Sequence, residues 1–270
     1  MKELLPVAAQ RKADRRIAPA PRRRDRALED AISGDRIAIR FQPQFEPSSG
    51  RIVAVEALAR WDGEPCAAQM FGRAARGGIQ ERLSRFAQRK ALRIAGAWGP
   101  PLSQLNLSIN LVAEDLASAG YDRWLLAEIA AAGLRPDRVT VEITESSLLA
   151  DQALAAERLG RLRAAGVQIA VDDFGTGYAS MAWLTSLPLD TLKIDRGLVA
   201  DLVEGKRDRI VVRAMIALAR ELDLKVVVEG VETAGQLALL AEWGCDLYQG
   251  FLGSAALDER ELADLVAAAA

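Results

Sequence analysis

The chain has 270 residues, half of them hydrophobic and few aromatic, enough for one barrel-sized core or two small ones. It has no histidine and only two cysteines, Cys66 and Cys245, which excludes His-ligated zinc and Ser-His-Asp triads and argues against a disulfide framework, pointing to a reducing, cytoplasmic setting. The formal net charge of −2 is uneven: residues 1–26 hold nine Lys/Arg against three acids, a surplus of six that leaves −8 for the rest.

That basic stretch comes first in the chain. Residues 1–27 read as a solvated, disordered arm, and its surplus charge would at most make a weak contact with an anionic partner. The apolar start is too short for a signal peptide, with basic residues after it rather than before. No run approaches the roughly 18 consecutive apolar residues of a membrane span. Residues 28–270 then form the folded unit. With no room ahead of it for a receiver, sensory or cyclase module, the expectation is a stand-alone domain.

From there short β-branched runs alternate with longer stretches of helical periodicity. Strands are expected at Ile37–Phe45, Ile52–Trp61, Leu105–Asn110, Arg138–Thr144, Val167–Asp172, Thr191–Asp195, Leu224–Glu229 and Asp246–Gln249. Helices are expected at 80–98, 122–133, 150–165, 178–186, 207–222, 233–242 and 258–269. In 207–222 the residues Ile210, Ala214, Ala217 and Leu218 share a face. Gly133, Gly166 and Gly244 precede strands, where helix C-caps belong. Eight such runs fit a closed α/β barrel better than an open sheet, which would show a Gly-rich loop after its first strand.

The functional signal lies at the trailing ends of these strands. Glu56, Asn110, Glu142, the pair Asp172–Asp173, Lys193, Glu229 and Gln249 stand in order within or just past successive strands. One such residue alone would read as a cap or a solvated strand end. In a parallel barrel the whole set converges on the C-terminal mouth. Five carboxylates there repel one another, and Lys193 alone cannot balance them. One or two hard divalent cations can, since Mg²⁺ and Mn²⁺ favour oxygen ligands. Two such ions suit in-line displacement at phosphorus, with Lys193 orienting water or neutralising developing charge. A lyase of the enolase type, with Lys193 as base, stays open on these residues alone. After the Asp pair, DDFGTGYASM has two glycines that permit a tight, mobile loop placed to sense the site.

Six ordered blocks resemble one family: EALARW at 56–61, VEITES at 141–146, VDDFGTGYAS at 171–180, LKID at 192–195, VVEGVET at 227–233 and QGF at 249–251. They are similar to the EAL-domain family of cyclic-di-GMP phosphodiesterases, and the likeness spans about residues 28–268. It implies a modified TIM (β/α)8 barrel with an antiparallel first strand. It also implies Mg²⁺- or Mn²⁺-dependent hydrolysis of cyclic-di-GMP to linear pGpG. Glu56, Asn110, Glu142 and Asp172 would hold one ion; Asp172, Asp173 and Glu229 would hold the other. Lys193 would contact the attacking water. Arg60, Gln42 and Gln249 would meet substrate, and Glu145 would brace the DDFGTGY loop, near which family members form homodimers.

The sequence also departs from the family. The usual V-N-x-S reads Ile109-Asn110-Leu111-Val112, so the asparagine remains and its serine neighbour does not. Asn110 is preferred to Asn106 because Ile109–Leu116 fits the motif through its closing leucine. After Trp61 the connection to Phe71 is about three residues short, Ala75-Arg76 stands where the family has A-E, and Gly253–Ala256 lacks the usual aromatic and proline. These changes touch the substrate side and keep open a second reading, a non-catalytic receptor for cyclic-di-GMP or a protein partner.

Overall fold

The computed structural model describes residues 24–62, 64, 66–144, 147, 151–175 and 181–269. Eight strands close into one barrel in sequence order: β1 Ala38–Phe45, β2 Ile52–Arg60, β3 Asn106–Leu111, β4 Val139–Thr144, β5 Gln168–Phe174, β6 Thr191–Ile194, β7 Lys225–Val228 and β8 Leu247–Tyr248. The first strand runs against both neighbours and every other pairing is parallel. Chain length dictates this. Between Phe45 and Ile52 there is room only for a hairpin turn, closed by Glu46 N–H to Arg51 O (2.9 Å), whereas a parallel partner needs a crossover of a dozen or more residues.

Helices cover the barrel: α1 Arg26–Ser33, α2 Ala67–Gly77, α3 Gln80–Gly96, α4 Ala113–Ala117, α5 Tyr121–Ala131, α6 Gln152–Ala164, α7 Met181–Ser186, α8 Lys206–Glu221, α9 Ala234–Glu242 and α10 Glu259–Ala268. Their starts follow the caps the sequence offers. Asp151 accepts from Leu154 N–H, and Thr233 and Asp258 form reciprocal boxes with Gln236 and Glu261. Gly133, Gly166 and Gly244, with φ of 72°, 102° and 80°, close α5, α6 and α9 before the next strand. Outward-facing strand residues such as Val141, Ile169, Leu192 and Val226 are fully buried beneath the helices. Each such burial contributes about 1.5–3 kcal/mol relative to exposure.

The structure corrects the expected face of α8. Val212, Met215, Ile216 and Ala219 turn inward, whereas Ile210 is 61% exposed and Ala214 and Ala217 are exposed. The helix is apolar on more than one side, so periodicity alone could not say which side the sheet takes. Helices α1, α2 and α4 are absent from the pattern-based reading. In α2 only Met70 and Ala74 are buried, and the helix lies where the connection after Trp61 departs from the family. Among the described residues, no helix is long and apolar enough to cross a membrane.

Candidate active site

Side chains alternate along a strand, so residues two apart share a face. Glu56 on β2, Asn110 on β3, Glu142 on β4 and Lys193 on β6 all reach the mouth, and the register that pairs Asn110 with Glu142 sets two of them side by side. Lys193 is fully buried at the centre. Its Nζ lies 2.6 Å from Glu142 Oε2, 2.7 Å from Glu229 Oε1, 3.1 Å from Asp172 Oδ1 and 3.4 Å from Glu56 Oε2.

Asp172 and Asp173 are adjacent, so a regular strand would send one of them out to the helices. The pairing of β5 with β6 shifts register between Val171 and Phe174, and Asp173 adopts a left-handed φ of 55°. This bulge turns the second acid toward the mouth. Carboxylate oxygens of Asp172, Asp173 and Glu229 then lie within 4.8 Å of one another.

Amides tie the cluster to β1 and β8. Asn110 Nδ2 donates to Glu56 Oε1 (2.8 Å), leaving the Asn110 side-chain oxygen as its acceptor. Gln249 Nε2 donates to Glu56 Oε2 (2.9 Å) and to Gln42 Oε1 (3.0 Å), and Gln44 Nε2 donates to Gln249 Oε1 (3.1 Å). Gln44 is buried and escapes the sequence reading, although it stands two residues from Gln42 and so shares its face. Arg60, half-buried at the end of β2, donates from Nη1 to Ala59 O (3.0 Å). Glu145 and residues 176–180 of the DDFGTGYASM segment lie outside the described residues.

Five carboxylates face one ammonium. Burial, with the Glu56 charge next, holds Glu142 well above the ordinary carboxylate range. Burial lifts Glu229 to about 8 against the opposing charge of Lys193. Burial, with Asp172 and Asp195, lifts Asp173 to about 6. Glu56 goes the other way: burial pushes it up, but Lys193, Asn110 and Gln249 more than offset this. Burial opposes the charge on Lys193, yet the surrounding carboxylates raise it well above its usual value. Only Lys193 among these six groups is positive, so the set has too much negative charge for its own cation.

The donor set fits a hard divalent cation. It consists of carboxylate and amide oxygens, the ligands Mg²⁺ and Mn²⁺ prefer. Asp172 Oδ1 is buried and, despite its 3.1 Å separation from Lys193 Nζ, accepts no well-aligned hydrogen bond. An orphaned buried acceptor beside two further carboxylates is what a ligand atom looks like before its ion binds.

Two cavities meet at this cluster. The larger, about 670 Å³, is walled by Leu58, Phe71, Asn110, Asp172 and Asp173. The smaller, about 230 Å³, is lined by Gln42, Arg60, Arg196, Glu229 and Phe251. Phe251 is 71% exposed. Neither Arg196 nor Phe251 stood out in the sequence, because one follows LKID and the other closes QGF without any periodic signal.

The family model for the EAL domain matches residues 25–256. The chain is 36% identical over 247 residues to the cyclic di-GMP phosphodiesterase NbdA of Pseudomonas aeruginosa, covering 86% of this chain and 31% of that protein. The solved structure of the phosphodiesterase PaMucR in complex with c-di-GMP superposes with a TM-score of 0.81 at 33% identity, covering 87% of this chain and 97% of that one. A manganese/cyclic-di-GMP complex of BlrP1 from Klebsiella pneumoniae gives a TM-score of 0.76 at 32% identity, with coverage of 83% and 57%. The chain thus spans about a third of the length of curated relatives such as NbdA.

Proposed function

The chain belongs to the EAL-domain family, and from that premise we propose that it hydrolyses cyclic-di-GMP to linear pGpG with divalent metal. The observation that carries the reading is the meeting of Glu56, Glu142, Asp172, Asp173 and Glu229 around buried Lys193. Names of relatives and their bound ligands support the substrate. The two cavities flanking the cluster give a symmetric two-base ligand a place for each half, with its phosphodiester over the carboxylates.

Glu56, Asn110, Glu142 and Asp172 would hold one Mg²⁺ or Mn²⁺, and Asp172, Asp173 and Glu229 the second. When bound, such ions supply charge neutralisation and activation of water for attack at phosphorus. The residues of the chain do the rest. Lys193 stands where it can donate to the attacking water or to developing negative charge. Arg60 meets a substrate phosphate, Gln42 and Gln249 seat the ligand, and Gln249 also holds Glu56. Glu145 would brace the DDFGTGY loop.

We assign the basic residues ahead of α1 to an arm with at most a weak contact to an anionic partner and the chain from α1 onward to the catalytic barrel, working in the cytoplasm; the expected boundary after residue 27 falls inside α1, which Asp25 caps. A homodimer is supported by the outer stripe of α8. Ile210 (61% exposed), Val211 (44%) and Ala214 leave an apolar surface on a helix whose Met215 packs near Gly175, where the DDFGTGY loop begins.

The test is incubation of the pure chain with cyclic-di-GMP and Mg²⁺ or Mn²⁺. Formation of pGpG that chelator abolishes, and that Glu56→Ala or Asp172→Ala eliminates, is expected. Binding without turnover at saturating Mn²⁺ and alkaline pH would instead make the chain a receptor. Light scattering of wild type and Ile210→Glu reads the dimer.

A further inference from the structure

Behind β3, in the layer between sheet and helices, four polar side chains are buried together that have no part in the cluster just described. They are Ser84 (1% exposed) and Gln88 (2%) of α3, Asp115 (0%) of α4 and Tyr121 (0%) of α5. Apolar residues would fill this layer at lower desolvation cost, so four polar groups here call for a purpose.

Their hydrogen bonds show where the purpose lies. Gln88 Nε2 donates to Ser84 Oγ (2.9 Å), to Asp115 Oδ2 (3.0 Å) and to the main-chain oxygen of Asn110 (3.0 Å). Tyr121 OH donates to Gln88 Oε1 (2.9 Å), fixing which way the amide faces. Ser84 Oγ donates to Asp115 Oδ2 (2.5 Å), and the same oxygen accepts Val112 N–H (3.2 Å). The two main-chain groups held in this way stand on either side of Leu111. The register of β3 with β2 ends at Ile109, whereas that with β4 runs on to Leu111. Past Ile109 the sheet therefore holds the strand on one edge only, and the network supplies the other.

We propose that Gln88 and Asp115 are positioning residues for Asn110, pinning the peptides around Leu111 so that its side chain meets Glu56 and turns its oxygen to the mouth. Orientation of a ligand by partners behind it commonly changes metal affinity by 10–100-fold. Where the family has serine, this chain has Val112, whose side chain offers no acceptor to the Asp115 N–H, so of a reciprocal cap at the start of α4 only the half made by Asp115 on the Val112 N–H remains. The proposal rests on Asn110 as a metal ligand, but its first readout needs no metal.

The experiment uses the full chain and the variants Gln88→Met and Asp115→Leu. In chelator-treated, ¹⁵N-labelled protein, the side-chain amide resonance of Asn110, hydrogen-bonded to Glu56, should move toward the position of a free asparagine. Mn²⁺ affinity, read by electron paramagnetic resonance, should fall by about 10-fold or more in both variants. A core variant outside the network, Leu262→Ala on α10, should leave it unchanged. If either variant fails to fold, Ser84→Ala must move the resonance in the same direction. Wild-type Mn²⁺ affinity together with an unmoved Asn110 resonance in a folded Gln88→Met protein overturns the proposal. Failure of the wild type to bind Mn²⁺ would instead remove the metal reading, and the resonance alone would then decide the network.

Discussion

Replacing Lys193 by methionine probes the charge balance of the mouth. The ammonium is fully buried, with four carboxylates between 2.6 and 3.4 Å from Nζ. Methionine fills similar space and removes the only cation of the cluster. Breaking a buried ion pair by deleting one partner costs about 3–5 kcal/mol, because the other charge stays buried without compensation. At roughly 2–4 °C per kcal/mol for a domain of this size, Lys193→Met should lower Tm in chelator by about 6–20 °C. Saturating Mn²⁺ should then raise Tm more in the variant than in the wild type, since the ion supplies the missing positive charge. The assay is thermal unfolding of both proteins with and without metal. Adding Glu142→Gln to the variant should recover part of the loss if charge is the cause. Equal Tm values for wild type and Lys193→Met in chelator would refute the reasoning, and no recovery in the double variant would trace the loss to packing.

Three further outcomes follow from the same geometry. Asp173→Gly relieves a left-handed residue at φ 55° and should stabilise the chelator-treated chain by up to about 1 kcal/mol while weakening Mn²⁺ binding; parallel losses of both in calorimetry would contradict the bulge argument. Asp115 is lifted from 3.8 to about 6, mainly by burial, with Ser84, Val112 and Gln88 opposing. Because the folded chain holds this proton longer than the unfolded chain, the contribution is fully present below about pH 4 and is lost as pH rises through about 6, roughly 3 kcal/mol in all. Asp115→Asn should flatten that part of the stability profile, and profiles that stay parallel in denaturant titrations would contradict it. Arg73 donates from Nε and Nη2 to both oxygens of Asp25 (2.8 Å each), pairs with Glu64 and lies 5.0 Å over the Trp61 ring. Arg73→Ala should therefore cost about 1–3 kcal/mol and loosen the attachment of α1 to α2, read by amide hydrogen exchange in 25–33; unchanged protection there would count against it.

The strands were legible because β-branched runs between glycines have few alternatives, and the ends of all eight lie within three residues of the pattern-based bounds. The site was legible because polar residues at the trailing ends of buried strands have nowhere to go except the mouth. What the pattern could not carry is local geometry. Nothing in the letters of Asp172-Asp173 announces the bulge that brings both acids to one side. The outer side of α8 also carries apolar residues, Ile210, Val211, Ala214 and Ala217, so the docked sheet decides which set turns inward. Gln44 and the Gln88–Asp115 network are ordinary polar residues until the β1–β2 hairpin and α3 set them against Gln249 and the Asn110 main chain.

The most direct measurement is anomalous diffraction from crystals of the protein grown with Mn²⁺. Two peaks should appear among Glu56, Asn110, Glu142, Asp172, Asp173 and Glu229, with Asp172 touching both. Crystals saturated with Mn²⁺ that show no peak at these side chains would contradict the claim that their oxygens converge to hold divalent ions.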